Sequence, residues 1–134
     1  MGIMAVKKQF HNFQELLDGS EVPVLVDFYA TWCGPCQMMA PILQEVNQEM
    51  KEQIKIVKID TDKYPQIASD YQIEALPTLI FFKNGQPVDR FEGVKRAPEL
   101  IKWLYGLLWT TRSSDRLWGC SFHRRSAIIL EIPQ

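Results

Sequence analysis

Four short runs of apolar residues indicate the strands of a β-sheet. Val22–Tyr29 is nearly all apolar and rich in β-branched residues, as is typical of a strand buried on both faces. Gln53–Asp60 alternates around aliphatic residues and predicts a second central strand. Thr78–Lys83 predicts a third strand. Val88–Phe91 is its expected partner, because the intervening Asn84-Gly85 favours a two-residue hairpin turn.

Apolar residues at helical spacing fill the segments between these strands. The longest such segment is Gly34–Met50, which contains Pro41, a residue that should kink the helix. Short helices are predicted around Phe13–Leu17 and at Pro65–Tyr71, and a last helix begins near Pro98, where proline fits the first turn. The residues expected to face the core are Phe13, Leu16, Leu17, Met38, Met39, Ile42, Leu43, Val46, Ile67, Ala68, Tyr71, Leu100, Ile101, Leu104, Leu107 and Leu108.

With a short edge strand predicted at Ile3–Lys7, the elements follow the order β-α-β-α-β-α-β-β-α. Helical connections between the first three strands require parallel pairing, whereas the final hairpin is antiparallel. We therefore predict an α/β protein whose central mixed sheet of about five strands is flanked by about four helices. Residues 109–134 show no period before a final apolar run. We interpret 1–108 as one domain and 109–134 as an appendage of unknown role, either disordered or non-native.

Composition and charge narrow the classes of function. The 134 residues are 46% hydrophobic and 23% charged, and their net charge is −1. This balance gives no reason to expect nucleic acid or an anionic membrane as a partner, and no apolar run is long enough to cross a bilayer. Three cysteines are too few for a disulfide-stapled secreted domain and suit a reducing compartment. Because the N-terminus shows no signal or transit pattern, we expect a cytoplasmic protein.

The two cysteines of Trp32-Cys33-Gly34-Pro35-Cys36 lie between a predicted strand and a predicted helix. At such a junction the first sulfur meets the free N–H groups of the helix start, where thiolate is favoured over thiol. We expect Cys33 to be exposed and easily ionised, and Cys36 to be more buried and harder to ionise. This difference predicts thiol–disulfide exchange, in which Cys33 attacks a substrate disulfide and Cys36 resolves the mixed disulfide.

Zinc binding is the alternative use of these cysteines. Cys33 and Cys36 would have to combine with Cys120 and His123 to make a four-ligand site. The two halves of that set lie far apart in the sequence, and Gly34-Pro35 favours a tight helix start instead. We therefore predict no metal site.

Asp27 interrupts an otherwise apolar strand six positions before Cys33. A buried carboxylate without a partner is costly and tends to hold its proton near neutral pH. Such a group can take the proton from Cys36 as that residue attacks. Lys58, on the neighbouring strand, is a candidate charge partner, and a buried pair with no catalytic role is an equally open interpretation.

Two further residues near the predicted site have competing interpretations. Pro77 opens a strand after Leu76; a cis bond would expose the Leu76 backbone beside Cys33, where an extended substrate can pair with it. The alternative is an ordinary trans turn proline. Trp32 either shields the thiol and contacts partners or belongs to the core.

With these residues identified, the chain resembles thioredoxin from about Val6 to Leu108. Around residues 4–10 and 58–65 it looks most like the thioredoxins of cyanobacteria and the y-type of chloroplasts. Departures from the family pattern include Tyr29, where many relatives carry Trp, and Gln37 and Glu92, which make the rim of the site less basic than in some relatives. The residues that carry the resemblance are Val26–Cys36, Ala40-Pro41, Lys58, Leu76-Pro77-Thr78, Lys83-Asn84-Gly85 and Gly93.

The resemblance implies the thioredoxin fold and a protein dithiol–disulfide oxidoreductase that reduces disulfides of target proteins. In that reading Cys33 is the attacking thiol, Cys36 the resolving thiol, Asp27 the buried proton acceptor, Lys58 its partner and Pro77 a cis-proline beside the site. It also implies a docking surface made of Trp32, Gly34, Pro35, Leu76 and Gly93.

The same resemblance implies cofactors and partners. No bound cofactor is expected, because the electrons reside on the two sulfurs of a Cys33–Cys36 redox-active disulfide. The implied partners are a thioredoxin reductase, fed from NADPH or reduced ferredoxin, and disulfide-containing targets such as peroxiredoxins and methionine sulfoxide reductases. The protein is expected to be a monomer.

Two other functions remain as alternatives at this point. A disulfide oxidase or isomerase would use the same fold, but such relatives usually carry a histidine between the cysteines, where this chain has Gly34-Pro35. A binding scaffold would use the domain as a rigid platform and would have no need of the two cysteines or of Asp27.

Overall fold

The structure, a computed structural model, describes residues 13–109 and 129–131. The described strands form one mixed sheet in the order β4-β3-β1-β2-β5, in which β2 is parallel to β1 and β5, and β3 is antiparallel to β1 and β4. The predicted α/β architecture is confirmed. Its elements in chain order are α1 (Phe13–Asp18), β1 (Val24–Tyr29), α2 (Gly34–Met50), β2 (Lys55–Asp60), α3 (Pro65–Asp70), β3 (Thr78–Lys83), β4 (Gln86–Glu92), α4 (Ala97–Trp109) and β5 (Ile129–Glu131).

Strand β1 is the central strand of the sheet, and its side chains are therefore covered on both faces. Val24, Val26 and Phe28 point to one face, where they pack with residues of α1 and with aromatic and aliphatic residues of the α3 region. Leu25 points to the other face, where residues of α2 and α4 cover it. Asp27 has the same parity as Leu25 and therefore lies on the α2 side of the sheet.

The β3–β4 hairpin forms where Asn84-Gly85 predicts it. Asn84 and Gly85 have φ values of 55° and 81°, the positive pair that a type I′ turn requires. Because this turn has only two residues, pairing runs up to it, with Lys83 opposite Gln86. Strand β4 is consequently longer than the predicted Val88–Phe91.

Other predicted bounds and orientations differ in detail. Strands β1 and β2 each begin two residues later than predicted, at Val24 and Lys55. Helix α3 ends at Asp70, and none of its residues is fully buried, although Ile67 packs against the core cluster that includes Phe28. Met38 was expected in the core but is 60% exposed, because α2 turns its Met39 side to the sheet instead.

The fifth strand does not come from the segment that the sequence indicates. The predicted edge strand Ile3–Lys7 lies outside the described residues. Instead, Ile129–Glu131 from the final apolar run of the chain pairs in parallel with Ile56–Lys58 of β2. The division of the chain at residue 108 stays a prediction. Within the described ranges, no helix has the length and apolar character needed to span a bilayer.

Candidate active site

The two cysteines lie at the junction between β1 and α2. Cys33 is the N-cap residue of α2, with extended backbone angles, and its sulfur accepts a hydrogen bond from the Cys36 backbone N–H at 3.1 Å. The two residues form a disulfide with a Cα–Cα distance of 5.2 Å. The spacing thus brings both sulfurs together at the positive end of a 17-residue helix.

The expected difference in burial between the two cysteines is not present in this oxidised form. Each residue is 5% exposed, because Ala30 forms one cluster with both cysteines and Tyr29 and Leu76 pack against it. Their surroundings still differ. Cys33 lines a surface groove, whereas Cys36 does not. The two cysteines therefore differ in access to the groove rather than in exposed fraction.

Asp27 is buried in the sheet with 1% of its surface exposed. Within the described chain its Oδ1 atom has no hydrogen-bond partner. Burial raises the pKa of Asp27 from 3.8 to about 7, and the positive charge of Lys58 lowers the pKa by a smaller amount. Asp27 can therefore exchange a proton near neutral pH.

Lys58 lies on the strand next to Asp27, as predicted. In the parallel β1–β2 pair it is the register partner of Asp27. Its ammonium nitrogen is 4.8 Å from the centroid of the Tyr29 ring, which is within cation–π range. Tyr29 thus contacts both the cysteine cluster and the cation that acts on Asp27, a role that the sequence does not signal.

The Leu76–Pro77 peptide bond is cis, so the open choice between cis and trans is resolved. Pro77 is buried at the start of β3, and its carbonyl oxygen accepts a hydrogen bond from the Gly93 N–H at 2.9 Å. Gly93 has a φ of 96°, a value that L side chains rarely adopt. This contact ties the loop before β3 to the end of β4.

An open groove of about 440 Å³ passes over Cys33. Four of the predicted docking residues, Trp32, Gly34, Pro35 and Leu76, line it. Gly93 is not part of the lining and reaches the site only through its bond to Pro77. Trp32 is 70% exposed, which excludes the alternative that it belongs to the core; its indole N–H donates to Asp62 Oδ2 at 2.8 Å.

Three groove residues were missed from the sequence: Thr61, Ile73 and Glu74. A usable signal existed for Thr61, because loops that follow the carboxyl ends of parallel strands meet at one edge of the sheet. Ile73 and Glu74 gave no such signal. They lie between a short helix and the cis-proline, and only the folded chain brings them beside Cys33.

Metal binding has no support in the described residues, where no three His, Cys, Asp or Glu side chains lie together in a way that could hold an ion. Cys120 and His123, which the zinc alternative requires, lie outside those residues.

Comparison with known proteins gives close relatives. A thioredoxin-like protein of Synechocystis sp. is 68% identical over 101 residues, which cover 75% of this chain and 96% of that protein. Chloroplastic thioredoxin Y of Oryza sativa subsp. japonica is 59% identical over 106 residues, which cover 79% of this chain and 63% of that protein. The chain thus spans nearly the whole of one relative and less than two thirds of the other.

These relatives overturn the expected cytoplasmic location. The thioredoxins Y at 59–60% identity carry the description chloroplastic, and the Synechocystis relative is cyanobacterial. The expectation was wrong because it used a low cysteine content and a missing leader pattern, which proteins of several reducing compartments share. These features do not distinguish the cytoplasm from the chloroplast.

The fold comparison agrees with the sequence comparison. The crystal structure of oxidised mitochondrial thioredoxin 3 from Saccharomyces cerevisiae matches with a TM-score of 0.65 and 34% identity, over 72% of this chain and 88% of that one. The family model for thioredoxin matches residues 4–105, which include the disulfide, Asp27, Lys58 and the cis-proline. On this match, together with the relatives above, the chain belongs to the thioredoxin family.

Proposed function

We propose that this chain reduces disulfide bonds of target proteins through Cys33 and Cys36. The observation that carries the proposal is the Cys33–Cys36 pair at the N-terminus of α2, with Cys33 open to the groove. Thioredoxins are thiol–disulfide oxidoreductases, and the pair has the spacing that this chemistry needs.

Reduction proceeds in two exchange steps that conserve atoms and electrons. The Cys33 thiolate attacks one sulfur of the substrate disulfide, forms a mixed disulfide and displaces the other substrate sulfur as a thiolate. The Cys36 thiolate then attacks Cys33 Sγ, forms the Cys33–Cys36 disulfide and displaces the second substrate sulfur. Two electrons pass from the protein dithiol to the substrate, which leaves as a dithiol after its thiolates take up two protons.

Asp27 accepts the proton that Cys36 must lose before the second step. The carboxylate lies on the side of the sheet that α2 covers, and its pKa of about 7 allows it to take up and release a proton near neutral pH. Lys58 offsets part of the cost of the charged form. This role makes the buried carboxylate a working group rather than one half of a structural pair.

Substrate docks in the groove beside Cys33. Trp32, Gly34, Pro35 and Leu76 contact it, and Pro77 presents the Leu76 backbone to an extended substrate segment. Gly93 supports this surface through the Pro77 carbonyl. The reaction needs no bound cofactor, since the two sulfurs hold the electrons.

The electron donor is a thioredoxin reductase, fed from NADPH or reduced ferredoxin. The targets are disulfide-containing proteins such as peroxiredoxins and methionine sulfoxide reductases. The protein acts as a monomer without nucleic acid or membrane partners.

The test is substrate trapping. A reduced Cys36→Ser variant incubated with an oxidised peptide should accumulate a Cys33-linked mixed disulfide, visible by mass spectrometry and released by dithiothreitol. The matched Cys33→Ser variant should trap nothing on Cys36 in the same time, because Cys36 does not line the groove. Equal trapping on Cys33 and on Cys36 contradicts the assigned roles, and peptide reduction by a variant lacking Cys33 and Cys36 contradicts the function.

A further inference from the structure

The groove over Cys33 has one charged residue in its lining. Seven of its eight lining residues in the described chain are apolar, uncharged or the cysteine itself, and the eighth is Glu74. Glu74 is exposed, so its carboxylate faces solvent beside the bound segment of a substrate. A single charge in an otherwise neutral groove gives that groove a preference for the opposite charge.

The loop that carries Glu74 is held in place from a distant strand. Arg90 on β4 donates from Nη1 to the Tyr71 carbonyl at 2.7 Å and from Nη2 to the Gln72 carbonyl at 3.2 Å. Gln72 has a φ of 53°, which an L residue adopts at a cost, and the Ile73 N–H donates to the Ala68 carbonyl at 2.9 Å. The backbone on the N-terminal side of Glu74 is therefore fixed.

The loop is fixed on its other side as well. Thr78 donates from its hydroxyl to the Ala75 carbonyl at 2.6 Å, and the Pro77 carbonyl accepts from Gly93. Glu74 thus sits on a short segment tied at both ends, so the backbone that carries its side chain beside the groove is set before a substrate arrives.

A second carboxylate is hydrogen-bonded to a residue that lines the groove. Asp62 directly follows the lining residue Thr61, and its Oδ2 atom accepts the hydrogen bond from the Trp32 indole. The negative charge of Asp62 is therefore held against the Trp32 indole. Lys63 follows in the sequence but is not part of the lining.

We propose that Glu74 makes the groove select disulfides that are flanked by lysine or arginine. The inference rests on the proposed reductase function and names the substrate class of the same site. The basic side chain of the target pairs with the Glu74 carboxylate while the adjacent half-cystine lies over Cys33. An exposed pair of this kind changes the rate constant by about two- to fivefold and weakens with salt.

Three oxidised peptides of one sequence, with Arg, Gln or Glu beside the reacting half-cystine, provide the test. The fully reduced full-length protein is mixed with each peptide at low and at high ionic strength, and the initial rate of reduction is followed by chromatography. We expect the Arg peptide to react about two- to fivefold faster than the Glu peptide at low salt, with a smaller ratio at high salt.

Variants assign the preference to one residue. Glu74→Gln should reduce the ratio towards one, and Glu74→Lys should reverse it. Glu45→Lys makes the same charge change on an exposed part of α2 outside the groove lining and should keep the wild-type ratio. A wild-type ratio of one, or a ratio that Glu74→Lys leaves unchanged, overturns the inference while the reductase function stands. Failure to reduce any of the three peptides overturns the function itself.

Discussion

Replacement of Asp27 by Asn should stabilise the folded protein, and the gain should grow with pH. The carboxylate is buried in the central strand, where its Oδ1 has no hydrogen-bond partner in the described chain. Its charged form is therefore disfavoured in the folded state relative to the unfolded chain. Asparagine has nearly the same shape and carries no charge, so it removes this pH-dependent cost.

The size of the effect follows from the difference between the two pKa values. The pKa rises from 3.8 to about 7 on folding, so between these values the folded state binds more protons than the unfolded state. The free energy of unfolding therefore falls as pH rises from about 4 to about 7 and is constant above that range with respect to this group. A shift of about three units corresponds to about 4 kcal/mol as an upper value.

The assay is guanidinium denaturation of the oxidised protein at pH values from 4 to 9, followed by tryptophan fluorescence. The difference between Asp27→Asn and wild type should rise by a few kcal/mol across this range, whatever constant cost the buried amide adds. Asp70→Asn, the same change at an exposed helix residue, should follow the wild-type curve to within about 0.5 kcal/mol. Parallel curves for wild type and Asp27→Asn would refute the raised pKa.

Two predictions concern the loop beside the site and the β3–β4 turn. Arg90→Met removes both hydrogen bonds to the loop that presents Glu74, and it should cost about 1 kcal/mol and speed amide hydrogen exchange in that loop; unchanged exchange would argue against the anchor. Gly85→Ala places a Cβ at a φ of 81° and against the side chain of Asp18, and it should destabilise by about 1–2 kcal/mol in thermal or chemical unfolding. Its matched control, Gly106→Ala in α4, meets no neighbouring atoms and should stabilise by about 0.5–1 kcal/mol; equal signs for the two glycine variants would contradict this account.

Much of the fold was predictable because its signals are local. The apolar run that forms β1 and the Asn84-Gly85 turn depend on residues close together in sequence, and both formed, with β1 beginning two residues later than predicted. The placement of Asp27 and Lys58 on neighbouring parallel strands also followed from two buried strands joined by one helix, whereas their direct register is known only from the structure. These features position the disulfide and the buried carboxylate, so the centre of the site was accessible from the sequence.

The groove and the fifth strand were less accessible because they depend on contacts between distant segments. Arg90 holds a loop 18–19 residues away, and no spacing rule signals that contact. Glu74 consequently could not be placed beside Cys33 before the fold was known. Similarly, the strand at Ile129–Glu131 pairs with β2 across a long stretch of chain, and a three-residue strand, of which two residues are apolar, carries too little pattern to choose a partner.

Of the two carboxylates at this site, Asp27 is buried and Glu74 is exposed. Substitutions of the two residues should therefore have different effects on the free energy of unfolding and on the reaction rate. Asp27 is buried, so its charge lowers stability at neutral pH, and substitution by asparagine should improve folding while slowing release of the mixed disulfide. Glu74 is exposed, so its charge costs little in folding and acts through the substrate, with an effect that salt weakens. Stability and turnover should therefore change in opposite directions for Asp27→Asn, whereas Glu74→Gln should change substrate preference with little change in stability. A stabilised Asp27→Asn variant that releases product at the wild-type rate from pH 6 to 8 would contradict the proton-acceptor role and leave a buried charge without a function.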